Sequence, residues 1–174
     1  MKKETIVPDE WRAFVELLNS SGVEYLVVGA VALAFHGFPR YTGDLDIFVR
    51  STAENASRLE RVLVSFGLES LGLTAADFVG SYQVVQLGIR PNRIDILTSL
   101  EGVSFGEAWA SRIQAEYAGL PVSFIGREAL VKNKRSNPRP QDRADLNALQ
   151  KLKAPQQRRA GAKRKNKESH RRGD

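Results

Sequence analysis

Asp44 and Asp46 stand two residues apart in the run Asp44-Leu-Asp-Ile-Phe-Val49. Side chains alternate faces along a strand, so this spacing sets both carboxylates on one face and Leu45, Ile47 and Val49 on the other. Two carboxylates side by side repel unless a cation sits between them. Hard oxygen donors of this kind suit Mg2+, which takes one or two protein carboxylates and fills its shell with water and phosphate. A third candidate lies in Arg93-Ile-Asp-Ile-Leu97, where Arg93, Asp95 and Leu97 share one face. Fifteen residues before Asp44, Gly29 closes an apolar run and opens a stretch of small apolar residues. A glycine at a strand-to-helix turn can present backbone N–H groups and the positive helix end to phosphate. Together these are the parts of two-metal phosphoryl transfer, in which one ion holds the phosphates and the other activates the attacking hydroxyl. Asp44 and Asp46 would bind both ions, and Asp95 would bind the second or accept the acceptor's proton. The bland alternative is three solvated carboxylates and a turn that binds nothing.

The elements that must position these residues are legible from periodicity and punctuation. Residues 23–28 form a β-branched and aliphatic run that reads as a buried strand, 30–35 as a short helix, and 44–49 as a second strand. Before them, residues 8–20 carry Trp11, Phe14, Val15, Leu17 and Leu18 on one side of a helix. After them, Ser51 or Thr52 caps a helix that carries Leu59, Val62, Leu63 and Phe66 inward and ends at Gly67. Residues 68–82 read as a turn and a short helical piece around 75–79. Residues 83–89 and 93–97 form a hairpin around Arg90-Pro-Asn92. Residues 105–118 are expected to form a helix that buries Trp109 and Ile113. Residues 119–125 are expected to form an edge strand, because Pro121 lacks a ladder donor. Gly126 opens a helix over 127–134, Asn137-Pro-Arg-Pro140 breaks it, and 141–152 form a last helix with Ala144, Leu146, Leu149 and Leu152 as its apolar positions.

Composition narrows the class. The 174 residues contain no cysteine, so disulfide and thiolate chemistry are excluded, and two histidines cannot build a His-rich metal site. The N-terminus lacks the apolar run of a signal peptide and no stretch reaches membrane-spanning length, so a cytoplasmic protein with no membrane partner is expected. The net charge of +6 is unevenly spread: residues 151–174 hold ten Lys/Arg and two acidic residues, while the rest hold 16 Lys/Arg and 18 Asp/Glu. We therefore expect one α/β (α+β) domain over 1–153, a small mixed sheet flanked by helices, and a disordered basic tail over 154–174. The tail suits RNA phosphates but lacks interleaved aromatics for base stacking.

The stretch from Tyr25 through Gly29-Ala30 to Gly37-Phe-Pro-Arg40-Tyr-Thr42-Gly-Asp44-Leu-Asp46 resembles the nucleotidyltransferase fold superfamily of DNA polymerase β. It is most similar to the small bacterial AbiEii-type and minimal nucleotidyltransferases, some of which are toxins of toxin–antitoxin pairs. The resemblance spans about residues 20–150. It implies two Mg2+ ions at Asp44, Asp46 and Asp95, and transfer of NMP from an NTP (ATP among the candidates) to a hydroxyl of tRNA or other RNA, protein or a small molecule. It also implies an antitoxin protein as a possible partner. Ala30 stands where the family usually has Gly or Ser, so a hydroxyl is missing and the backbone N–H remains. The run Lys132-Asn-Lys134, followed by Arg139, Asp142 and Asp145, resembles the family's C-terminal segment, in which a Lys reaches the nucleotide phosphates. Lys134 is the first choice for that role and Lys132 the second. Gly29, Ala30, Arg40 and Thr42 complete the expected nucleotide-binding set, and His36 is given no role. The alternative is a nucleotide- or RNA-binding protein on this fold with little or no catalysis.

Overall fold

The computed structural model describes residues 7–151. The predicted basic tail lies outside the described residues, as does Leu152. Asp9 and Glu10 favour the positive end of helix α1 (Asp9–Ser20), whose Trp11, Phe14, Val15 and Leu18 recur at helical spacing and are buried. Strand β1 (Tyr25–Val28) is buried at all four positions. It runs directly into α2 (Gly29–Phe35), and β2 (Asp44–Val49) returns antiparallel to β1. Helix α3 (Ala53–Ser65) is capped by Thr52, whose hydroxyl accepts the Asn55 N–H. Two 3-10 turns, Glu69–Leu71 and Ala75–Phe78, lead to the hairpin of β3 (Val84–Leu87) and β4 (Arg93–Leu97). Then follow α4 (Phe105–Ala110), β5 (Ile113–Tyr117), β6 (Leu120–Phe124), α5 (Arg127–Ser136) and α6 (Pro140–Lys151).

The strands form one mixed sheet in the order β3-β4-β2-β1-β6-β5. The register between β2 and β4 matters most for the site. These strands are parallel, with Asp44 opposite Arg93 and Asp46 opposite Asp95. Leu45, Ile47 and Ile96 are fully buried and Ile94 nearly so, on the face away from the carboxylates. Each such side chain contributes about 1.5–3 kcal/mol by leaving water. A slip of one residue would expose that apolar set and bury the acids, so the core fixes where the carboxylates point. Farther along β2 the carboxylate face turns apolar, and Phe48 meets Phe105 of α4 edge-on with ring centroids 5.0 Å apart.

Three expectations are corrected. Residues 105–118 are not one helix. The Ser111 hydroxyl turns back to the Glu107 carbonyl at 3.2 Å, and Arg112 donates to the Trp109 carbonyl at 2.8 Å while stacking on its ring. The chain then leaves as β5, with Ile113 exposed and Trp109 only half-buried. Ala118 and Gly119, both at positive φ (52° and 78°), make the two-residue turn into β6. Strand β6 is consequently interior, between β1 and β5, and β5 forms the edge. Pro121 is tolerated because β6 meets β1 only at its far end, at Phe124; beside Pro121 the neighbour is Asn19 of α1, which donates to the proline carbonyl at 2.8 Å. Finally, α6 buries Asp142, Asp145 and Leu149 and leaves Ala144 exposed. Its inward stripe is largely acidic because basic side chains from α5 and the α2–β2 loop meet it.

Candidate active site

The expected carboxylates do come together. Asp44, Asp46 and Asp95 line one cleft of about 590 Å³ with Gly29, Ala30 and Lys134. Larger hollows of about 690 Å³ lie elsewhere, one between α1 and the β5–β6 hairpin and one beside α2, but the first is lined by two carboxylates, Glu24 and Glu116, and the second by Glu116 alone. Chemistry rather than size selects the cleft.

The three acids differ in their surroundings. Asp44 is held on both oxygens. The Thr42 hydroxyl donates to Oδ1 at 2.7 Å, and the Arg90 and Arg93 guanidiniums donate to Oδ2 at 2.9 and 2.6 Å. Burial works against its charge, but these partners more than offset it and hold the carboxyl below its ordinary range. Asp95 is buried and gripped by Arg93, with Nη2 2.9 Å from Oδ2 and Nε 2.8 Å from Oδ1. Asp46 accepts no hydrogen bond and makes no ion pair among the described residues. Burial, then the charges of Asp44 and Asp95, push its carboxyl up to about 7, against the weaker pull of Lys134 and Arg93.

Gly29 explains how Asp46 is seated. Its φ is +64°, which L side chains rarely adopt, and a Cβ built there would lie 2.0 Å from Asp46 Oδ2. The turn can therefore carry no side chain, and its backbone lies against the carboxylate. Ala30 follows, buried, and also lines the cleft.

The expected nucleotide-binding residues are not all free to serve that role. Arg40 lines the cleft but pairs with Asp145, Nη2 to Oδ2 at 3.2 Å. Thr42 uses its hydroxyl on Asp44. Lys134 is 7% exposed and bonds Asp142 at 2.8 Å and Asp145 at 3.2 Å. It is part of a buried network rather than a solvated helix end, and that network also draws Arg139 to Asp142 and Gln141 to Asp145. Burial opposes the charge of Asp145, yet its partners hold the carboxyl low. Lys132 is exposed and pairs with Glu107 at 2.7 Å. His36 is structural: Nε2 lies 2.8 Å from the Ile125 carbonyl, to which it donates, and burial favours the neutral ring.

Sequence reasoning missed Arg90 and Arg93 as members of the site. The signal for Arg93 was present, since it shares a strand face with Asp95. Asp142 and Asp145 stood out only through the resemblance of the C-terminal segment; apolar spacing along α6 gave no sign that they face inward.

No protein-family model matches the chain, and no curated protein sequence matches it. Solved structures do. A Thermotoga maritima protein assigned as a nucleotidyltransferase aligns over 87% of this chain and 93% of its own, at 16% identity and a TM-score of 0.52. ANT(2″)-Ia, solved in complex with adenylyl-2″-tobramycin, aligns over 80% of this chain and 84% of its own, at 17% identity and a TM-score of 0.50. A solution structure of the same antibiotic-resistance factor aligns at 16% identity and a TM-score of 0.50, over 80% of each chain. The chain thus has the nucleotidyltransferase fold. Among the described residues no helix is long and apolar enough to cross a membrane.

Proposed function

We propose that this chain, built on the nucleotidyltransferase fold, is a Mg2+-dependent nucleotidyltransferase that moves NMP from an NTP to an acceptor hydroxyl and releases pyrophosphate. The observation that carries the reading is Asp46. It is a carboxylate without a partner among the described residues, pushed up to about 7 by burial and by the charges of Asp44 and Asp95, and set against the Gly29 turn. Such a group calls for a cation, and its neighbours are hard oxygen donors of the kind Mg2+ takes. Asp44, Asp46 and Asp95 would hold the metal, which when bound would neutralise phosphate charge and lower the pKa of the acceptor hydroxyl. Asp95 lies on the neighbouring strand, the side assigned to the acceptor, and would take its proton. The Gly29–Ala30 backbone would face the phosphates, while the Lys134–Asp142–Asp145–Arg40 network fixes the opposite wall.

The acceptor is a hydroxyl of a small molecule, tRNA or a protein. The adenylylated tobramycin of ANT(2″)-Ia supports a small-molecule acceptor by fold analogy alone. The toxin reading and its antitoxin partner rest on the sequence resemblance. A second reading, a nucleotide- or RNA-binding protein with little catalysis, is favoured by one observation: among the described residues, no three acidic or imidazole groups are gathered closely enough to hold a metal as they stand. Incubation with labelled NTPs, Mg2+ and total RNA, lysate or hydroxylated small molecules separates the two. We expect pyrophosphate release and label on one acceptor class, both lost in Asp46→Asn. Nucleotide binding without pyrophosphate release selects the second reading.

A further inference from the structure

The carboxylates of the cleft already have a cation among them. Arg93 reaches from β4 across to β2 and touches two of the three acids, with Nη2 2.6 Å from Asp44 and 2.9 Å from Asp95. Its side chain is 21% exposed, against 66% for Arg90, which touches Asp44 from the rim. A guanidinium is a planar fork with several donors, so it can serve two carboxylates at once, which an ammonium does poorly. It does not lose its charge at any ordinary pH, so its charge leaves the cluster only if the side chain moves. The long side chain can move without disturbing β4, whose register is held by Ile94 and Ile96. The third acid, Asp46, is left bare.

We propose that Arg93 is a built-in counter-cation of the carboxylate cluster, which a divalent metal ion must displace from Asp44 and Asp95 in order to bind. This rests on reading the cleft as the metal site of a nucleotidyltransferase. Two features of the structure otherwise conflict: three acids converge on one cleft, yet they form no ready metal cage. The guanidinium resolves the conflict. It holds Asp44 and Asp95 to itself and suppresses their mutual repulsion before metal arrives. Arg93 therefore sets the metal affinity of the cleft, weakening it in exchange for order in the metal-free state.

The test uses the full chain without nucleotide and Mn2+ as the probe, titrated by calorimetry into wild type, Arg93→Met and Arg93→Lys. Removal of the competing charge should tighten Mn2+ binding about tenfold or more in Arg93→Met, with Arg93→Lys in between. Adding Asp46→Asn to Arg93→Met should abolish the binding. If Arg93→Met binds Mn2+ no more tightly than wild type while wild-type binding still needs Asp46, the arginine supports the site rather than competing for it. The proposal is then overturned and the nucleotidyltransferase reading stands. If none of the three proteins binds Mn2+, both fall. Should Arg93→Met fail to fold, the wild type decides by NMR. The Arg93 Nε–H resonance, assigned by its loss in Arg93→Lys, should shift and exchange faster with water as Mg2+ is added. A resonance unchanged at saturating Mg2+ overturns the proposal.

Discussion

Three carboxylates on two adjacent strands do not behave alike, and the difference lies in what each one touches. Asp44 and Asp95 are held by Arg93, so replacing either with Asn removes a charge-assisted hydrogen bond and destabilises the metal-free protein. Asp46 has no such partner, and its replacement goes the other way. Its carboxyl is raised in the folded protein from an ordinary 3.8 to about 7. Between those values the folded chain keeps a proton that the unfolded chain has released, so the metal-free protein loses stability as pH rises through that window. At about 1.36 kcal/mol per pH unit, the full penalty is roughly 4 kcal/mol once Asp46 is ionised. Asp46→Asn escapes it. We expect the variant to match wild type in urea midpoint near pH 4 and to exceed it at pH 8. Parallel pH profiles for the two proteins would mean that the carboxyl is not raised by its site. The alternation of Asp44, Asp46 and Asp95 made these residues legible in the sequence. Their unequal states were not, because the parallel pairing that brings Arg93 of β4 across to Asp44 and leaves Asp46 without a partner among the described residues is a long-range contact.

At the scale of elements, the last two helices form the far wall of the cleft through a buried ionic contact. Lys134 of α5 meets Asp142 and Asp145 of α6, and Asp145 also receives Arg40 from the loop before β2. The sequence pointed to Lys134 as a residue that reaches phosphate; in the structure it is buried and paired with Asp142 and Asp145, so it also bears on folding. Lys134→Ala would leave two buried carboxylates short of a partner, a loss of about 3–5 kcal/mol by comparison with broken buried pairs. Lys132→Ala removes only an exposed pair with Glu107, worth less than about 1 kcal/mol. Urea denaturation of both variants checks the contrast, and equal midpoints would show that the buried network adds no stability. The hairpin of β5 and β6 was illegible for a related reason. Phe105 to Tyr117 contains good helix formers, and local propensity gave no sign that the Ser111 and Arg112 side chains end the helix at Ala110. The turn at Ala118-Gly119 was the available signal, and it was outweighed by the run of helix formers before it.

Over the whole molecule, the order of elements was readable because the strands that carry the site are short apolar runs set off by glycines. The remainder depended on long-range pairing, such as β2 lying parallel to β4 although α3 and β3 separate them in sequence. Charge is divided along the chain as well. The first 150 residues hold slightly more acid than base, and the excess of positive charge belongs to residues 151–174. Residues 154–174 contain no Val, Leu, Ile, Met, Phe, Trp or Tyr, so they bring almost no apolar surface to a core. Among the described residues the buried core runs from Trp11 to Leu149. A chain ending after Lys153 is therefore expected to keep the urea midpoint and the nucleotide affinity of the full protein. If the tail also contacts RNA, its loss should lower RNA affinity and flatten the dependence of log K on log salt. That slope should fall by about 0.7 for each single-strand phosphate contact removed. A lower urea midpoint in the shortened chain would show that the tail packs on the domain, moving the domain boundary beyond Lys153. An unchanged midpoint with an unchanged salt slope would leave RNA contacts, where they occur, to the folded part, whose own charge is close to balanced.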